Sequence, residues 1–321
     1  MGIKNLNHYL RHNCTNSIRC INLADLNGKI VAVDISIYLY RFEGENILLE
    51  NIYLMLAIFK HYSIIPLFIF DGKPPVQKET LLKRRKENKI KAKIKFTNLS
   101  DTLKTNTINH TNTQEILGQM EYLKKQFTIV DKESIVKVKE LITAYGASYY
   151  TAPGEADELC ANLVIKKIAW ACLSEDMDLF VYGCPRVLRY FSLVSHTALL
   201  YSMRGILQEL EMNQADFKSI CVLSGTDYNI ISSDNNTNTL VSSFEHFYNY
   251  KKSSQTECTF YNWVSANTND TVDLNIIRNI TNMFDITIDN SYLENITTPN
   301  LPFNYVKIKE IMSEVGFIFM I

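Results

Sequence analysis

Four short apolar runs in this chain each lead into a carboxylate, and that arrangement constrains the fold more than any other feature of the sequence. Lys29-Ile30-Val31-Ala32-Val33 stops at Asp34, and Pro66-Leu67-Phe68-Ile69-Phe70 stops at Asp71. Ser148-Tyr149-Tyr150-Thr151 leads through Ala152-Pro153-Gly154 into a predicted helix opening with Glu155 and Asp157. Ala169-Trp170-Ala171-Cys172-Leu173 runs into Ser174-Glu175-Asp176-Met177-Asp178. Runs of this length, alternating with longer helical stretches, predict an α/β fold with a mostly parallel central sheet flanked by helices. Parallel strands end on one side, so their terminal acids converge on a single polar crevice at the carboxyl edge of the sheet. Taken singly, each acid is more simply read as a helix cap or a solvated loop residue, and Glu155 and Asp157 stand where a helix N-terminus welcomes acids anyway. Their repetition carries the reading.

Carboxylates gathered at one edge repel one another unless cations compensate. An oxygen-only set without His or Cys favours Mg2+ or Mn2+, and a pair of such ions suits in-line hydrolysis of a phosphodiester by water. Cys14, Cys20, Cys160, Cys172, Cys184, Cys221 and Cys258 make an odd count with no CxxC pair, which reads as free thiols in a reducing compartment and argues against zinc. The histidines at 8, 12, 61, 110, 196 and 246 lack ligand spacing and are assigned no role. No Walker loop, dinucleotide fingerprint or Ser-His-Asp ordering points to another enzyme class. No stretch approaches the roughly 20 apolar residues of a membrane span and no signal peptide opens the chain, so a soluble, intracellular protein without membrane contact is expected.

Charge is unevenly distributed. Ten basic and two acidic side chains between Lys73 and Lys95 give a local +8 in a chain whose total is −1, so the remainder carries −9. Residues 97–115 then turn polar and rich in Asn and Thr, and the whole stretch reads as a helical, mobile excursion from the sheet. After Asp227 a second Asn- and Ser-rich stretch precedes short amphipathic segments.

The blocks Met1-Gly2-Ile3-Lys4-Asn5-Leu6, Val33-Asp34-Ile35-Ser36, Phe70-Asp71-Gly72-Lys73-Pro74-Pro75, Ala152-Pro153-Gly154-Glu155-Ala156-Asp157, Ser174-Glu175-Asp176-Met177-Asp178 and Leu223-Ser224-Gly225-Thr226-Asp227-Tyr228 resemble, in this order, the signature blocks of the flap endonuclease/XPG nuclease family. The resemblance spans roughly residues 1–230 and implies a PIN-like nuclease fold. It implies two Mg2+ ions, with Mn2+ able to substitute, held by Asp34, Asp71, Glu155, Asp157, Asp176, Asp178 and Asp227. The second acid of the family's Glu-Ala-Glu block is the shorter Asp157 here. Lys78 and Arg85 match a basic pair that acts beside the catalytic Asp34, Asp71, Asp176 and Asp178, and their spacing of seven places them on one helical face. Tyr40 matches a residue that stacks on a base, with Tyr38 as its neighbour. Gly2 begins the mature chain near the active site, and Lys73, Lys83, Arg84 and Lys86 belong to a basic helical arch that holds a single-stranded 5′ end.

By this reading residues 1–230 form a nuclease core with an arch insertion at about 73–130, and residues 231–321 form a divergent C-terminal helical region. The family follows its Ser-Gly-x-Asp-Tyr block with a glycine-rich helix-two-turn-helix that grips duplex DNA. Here Asn229-Ile230-Ile231-Ser232-Ser233-Asp234-Asn235-Asn236 contains no glycine, and a helical pair from Leu240 onward would have to substitute. No sliding-clamp motif is recognisable, since Gln255 with Phe260 and Tyr261 has the wrong spacing. The expected activity is metal-dependent, structure-selective 5′ cleavage of DNA at flaps, gaps, junctions or 5′ ends during replication, repair or recombination. A DNA-binding scaffold that no longer cuts and a 5′ exoribonuclease are the alternatives. The expected compartment is the nucleus or the host cytoplasm, and the cytoplasm if the Asn-, Ile-, Lys- and Tyr-rich composition reflects the AT-rich genome of a large DNA virus replicating there.

Overall fold

The computed structural model describes residues 2–105, 110–228, 240–253, 258–268, 273–298 and 302–319. Seven strands form one sheet in the order β1-β7-β6-β5-β2-β3-β4. They are β1 (Ile18–Asn22), β2 (Ile30–Asp34), β3 (Ile65–Phe70), β4 (Ser148–Thr151), β5 (Ala171–Leu173), β6 (Arg186–Ser192) and β7 (Thr197–Ser202). The pairs β3–β2, β2–β5 and β5–β6 are parallel, while β7 pairs antiparallel with both β6 and β1. The expected α/β architecture with a mostly parallel sheet is therefore present, and β2 to β5 coincide with the four apolar runs. β5 is shorter than its run, although Trp170, just before it, also donates its N–H across to the Ile30 carbonyl of β2 at 2.7 Å. Strands β2 and β5 are buried almost throughout, as parallel strands covered on both faces must be.

The chain divides into two compact units. Met1–Asp34, Ile58–Pro74 and Tyr150–Thr298 make the first, and Ile35–Ala57, Pro75–Tyr149 and Pro299–Ile321 the second. In the first, the core joins Ala32, Leu67, Ile69, Leu159, Cys172 and Phe180 to Phe244, Phe247, Val264 and Ile277 of the helices Leu240–Lys252, Phe260–Asn267 and Leu274–Met283. The last of these helices starts where the Asp273 carboxylate accepts from the amides of Asn275 (3.0 Å) and Ile276 (3.2 Å), satisfying donors that the helix itself leaves unpaired. The glycine-free stretch 229–236, residues 106–109 of the polar stretch, and Gln255 lie outside the described residues.

In the second unit the basic stretch forms a 27-residue helix, Glu79–Thr105, which is free of Gly and Pro and rich in Lys and Leu. It lies beside the helix His110–Phe127, with the Phe96 ring edge-on to Phe127 at 5.4 Å. The helix Lys132–Ala144 opens on an Asp131 cap that accepts from the Ser134 amide at 2.7 Å. The helix Tyr305–Ser313 is tied to it by Asn304 N–H to the Ala144 carbonyl (2.8 Å) and by Lys307–Glu140 (3.3 Å). No disulfide joins any of the seven cysteines, and among the described residues no helix is long and apolar enough to cross a membrane.

Candidate active site

Sheet register brings the first acids together. Val33 pairs with Leu173 across β2 and β5, so the residues that follow, Asp34 and Ser174, stand side by side at the carboxyl edge. The Ser174 hydroxyl donates to Asp34 Oδ2 at 2.8 Å and accepts the Asp176 amide at 3.0 Å. The Asp178 amide in turn donates to Asp176 Oδ1 at 3.0 Å. One hydroxyl thus links the end of β2 to the acidic loop after β5. Asp34, Asp157 and Asp178 are buried, an environment that acids normally avoid unless something compensates their charge.

At the end of β3 the backbone of Gly72 lies against that of residues 152–154. An added Cβ would collide with the Ala152 carbonyl oxygen and sit 3.0 Å from the Gly154 oxygen. This approach lets Gly72 N–H reach the Gly154 carbonyl at 2.8 Å and aims Asp71 at the helix Ala156–Ile165, where Oδ1 accepts the Ala156 amide at 2.9 Å. Asp71 therefore takes over the capping of that helix. Glu155 occupies the N-cap position but makes no side-chain cap bond, and its Oε2 accepts from the Tyr228 hydroxyl at 2.7 Å. Asp227 and Tyr228 arrive from the helix Gln214–Ser224, after which the chain turns at Gly225.

Gly2 meets the same cluster, since an added Cβ there would fall within 2.6 Å of Oδ1 of both Asp176 and Asp178. Those two oxygens are consequently no more than about 5 Å apart. The surrounding titratable groups report the same crowding. Burial, and then the Glu155, Asp157 and Asp178 carboxylates, push the Tyr228 phenol far above its ordinary range. Burial followed by Asp157 does the same to Tyr182. Burial pushes the Cys160 thiol up to about 11, with Asp34 and Asp157 adding to it. Since one thiol feels Asp34 and Asp157 while one phenol feels Glu155, Asp157 and Asp178, these acids share a single negative region.

The donors fit a hard divalent cation. They are carboxylates from several elements, two of them share a cradle a few ångströms wide, and the neighbouring Cys160 stays a protonated thiol and so is no soft ligand. Among the described residues no three His, Cys, Asp or Glu side chains close into a ready coordination set. Asp34, Asp71, Asp176 and Glu155 are turned toward the protein donors named above.

Tyr40, Lys78, Lys83, Arg84, Arg85 and Lys86 lie in the second unit, and the seven acids, Gly2 and Lys73 in the first. Lys78 closes a 3-10 turn, Val76–Lys78, rather than lying on the long helix with Arg85, so no single α-helix carries the pair. Burial nevertheless separates them from their neighbours: Lys78 is buried and Arg85 half-buried, whereas Lys83, Arg84 and Lys86 are exposed. Lys83 pairs with Glu79 at 2.8 Å. The Tyr40 ring is half exposed and carries Lys89 Nζ 4.9 Å from its centroid. Tyr38 is core.

Sequence reading assigned nothing to Arg189, which is buried on β6. Its guanidinium donates to the Glu175 carbonyl (2.9 Å) and to Asn7 Oδ1 (2.5 Å), and lies 3.3 Å from Glu175 Oε2. It ties the loop carrying Asp176 and Asp178 to the N-terminal helix Leu6–Asn13. A basic residue among the apolar positions of Arg186-Val187-Leu188-Arg189 was the available signal. Arg189→Met is expected to lower unfolding stability by about 2 to 3 kcal/mol in urea denaturation, because the carbonyl and amide oxygens lose a charged donor that methionine cannot replace.

Comparison with known proteins bears directly on these acids. The XPG N-terminal domain matches residues 1–92 and the XPG I-region residues 146–227, so all seven acids lie within matched segments. The chain is 31% identical to flap endonuclease 1 of Yarrowia lipolytica over 249 residues, covering 71% of this chain and 63% of that protein. It is 29% identical to flap endonuclease 1 of Encephalitozoon cuniculi over 245 residues, covering 71% and 68%. The chain thus spans less than two thirds of the Yarrowia protein. Among solved structures, the catalytic core of Rad2 in complex with DNA substrate superposes with a TM-score of 0.67 at 18% identity, over 98% of this chain and 96% of that one. Flap endonuclease-1 from Methanococcus jannaschii gives 0.60 at 22% identity, over 92% and 90%. Human GEN1 in complex with Holliday junction DNA gives 0.63 at 15% identity, over 98% and 73%. With both family segments in place and the seven candidate acids inside them, this chain belongs to the XPG family, which includes the flap endonucleases.

Proposed function

We propose that the chain is a divalent-cation-dependent, structure-selective 5′ nuclease that hydrolyses DNA phosphodiesters at flaps, gaps, junctions or 5′ ends in replication, repair or recombination. The observation that carries this reading is the gathering of carboxylates, most of them buried or half-buried and Asp71 exposed, at the ends of β2, β3 and β5 and at the N-terminus of the helix Ala156–Ile165. Asp34, Asp71, Glu155, Asp157, Asp176, Asp178 and Asp227 would hold two Mg2+ ions, with Mn2+ as a substitute. Bound there, the cations supply Lewis-acid activation of the phosphodiester and of the attacking water. Ser174 keeps the Asp34 and Asp176 ends of this set in register, and Asp71 does the same for the Glu155 end.

Lys78 and Arg85 are assigned the charge that develops on the scissile phosphate. Gly2, Tyr40, Lys73, Lys83, Arg84 and Lys86 are assigned to the DNA strand, the tyrosine by stacking and the cations by phosphate contact. This division makes residues 1–230 the nuclease core with its arch insertion at about 73–130, and residues 231–321 the altered duplex-binding part. The DNA complexes of Rad2 and GEN1 support a junction-bearing DNA as the partner.

Labelled 5′-flap, nicked, gapped and four-way DNA, with single-stranded RNA alongside, tests the reading. Mg2+ or Mn2+ should produce cleavage of at least one DNA structure, excess EDTA should stop it, and RNA should be cut more slowly. Tight DNA binding without turnover would show a scaffold instead, and faster digestion of RNA an exoribonuclease.

A further inference from the structure

Glu155 stands at a helix N-cap, yet its carboxylate is not spent on the helix, because Asp71 accepts the first amide in its place. A glutamate freed from capping has three rotatable side-chain bonds and needs another constraint if it is to be held in one place. The Tyr228 hydroxyl, 2.7 Å from Oε2, is one such constraint. The Tyr228 ring rests edge-on against Phe284 at 5.5 Å, and Phe284, almost wholly buried, stands edge-on to Tyr182 at 5.2 Å.

Phe284 is itself anchored on two sides. Its carbonyl accepts from Lys218 Nζ at 3.1 Å, and the same ammonium pairs with Asp285 at 2.7 Å. Lys218 lies on the helix that delivers Tyr228. Three residues further, the Thr287 amide and hydroxyl donate to Glu158 Oε1 at 2.7 and 2.9 Å, on the helix headed by Glu155. The segment Phe284–Ile288 of the C-terminal region thereby fastens together the two elements that carry Glu155 and Tyr228.

We propose that Tyr228, backed by Phe284, is a positioning residue that fixes the Glu155 carboxylate for divalent-cation binding, and that the segment 284–288 makes the C-terminal region part of the metal site. This rests on the cation-binding role proposed above for the acids. Hydrogen-bond partners of a ligating carboxylate typically carry a 10- to 100-fold effect on metal affinity.

The test uses the full chain without DNA, titrated with Mn2+ and followed by loss of the free-ion electron paramagnetic resonance signal. Tyr228→Phe removes only the hydroxyl and should weaken Mn2+ binding about 10-fold. Its metal-free unfolding midpoint should stay within about 4 °C of wild type. Phe284→Leu, which removes the ring edge, should shift binding in the same direction by a smaller factor. The Mn2+ concentration for half-maximal DNA cleavage should rise with the dissociation constant in both. Wild-type affinity in Tyr228→Phe would overturn the positioning role, as would weakened binding in step with a much lower unfolding midpoint. A wild-type chain that neither binds Mn2+ nor cuts DNA would overturn the nuclease reading itself.

Discussion

Asp178→Asn is expected to lower the rate of DNA cleavage at saturating Mg2+ by about 10³-fold, some 4 kcal/mol of transition-state stabilisation. The substitution keeps the shape of the side chain, and the residue 178 amide still reaches Asp176 Oδ1, so the loop after β5 retains its conformation. What it removes is one negative charge from a buried position within about 5 Å of a second carboxylate. Like charges confined together destabilise the protein that carries them. The metal-free unfolding midpoint of the variant should therefore equal or exceed that of wild type, while activity collapses. Activity and thermal unfolding measured on the same preparation separate this outcome from simple misfolding, in which both fall. Cleavage at the wild-type rate would remove Asp178 from the reacting site.

Gly72→Ala is expected to be among the most destabilising single substitutions in the chain, costing about 4 kcal/mol. The added methyl group meets the Ala152 and Gly154 backbone rather than a side chain that could rotate away. Relief requires the end of β3 to part from residues 152–154, which breaks the 2.8 Å bond between Gly72 and Gly154 and draws Asp71 away from the Ala156 amide. Thermal unfolding should drop by roughly 10 °C. An unchanged midpoint would mean that the two backbones are not in the close approach described.

Much of the site was legible in the sequence because its signals are local. An apolar run followed by an acid announces a strand end, and β2, β3, β4 and β5 fell where those runs lie. The antiparallel side of the sheet was not anticipated. β6 and β7 are half-buried strands joined by a tight turn, and their alternation is diluted by Arg186, Arg189 and Tyr190. Arg189 itself looked like an interruption of a strand, and only its packing shows that the charge is buried and bonded to the loop that carries Asp176 and Asp178.

The sequence by itself determined which carboxylates this protein carries and that Asp34, Asp71 and Asp176 follow the ends of strands, because strand periodicity and chain direction are written in consecutive residues. Only the tertiary structure decided what each carboxylate holds: Asp34 takes Ser174, Asp71 the cap of a helix that Glu155 heads, and Glu155 the Tyr228 hydroxyl. Those partners are 140, 85 and 73 residues apart in the chain. Bonds of such span depend on sheet register and on the approach of two backbones at Gly72, which no local pattern encodes.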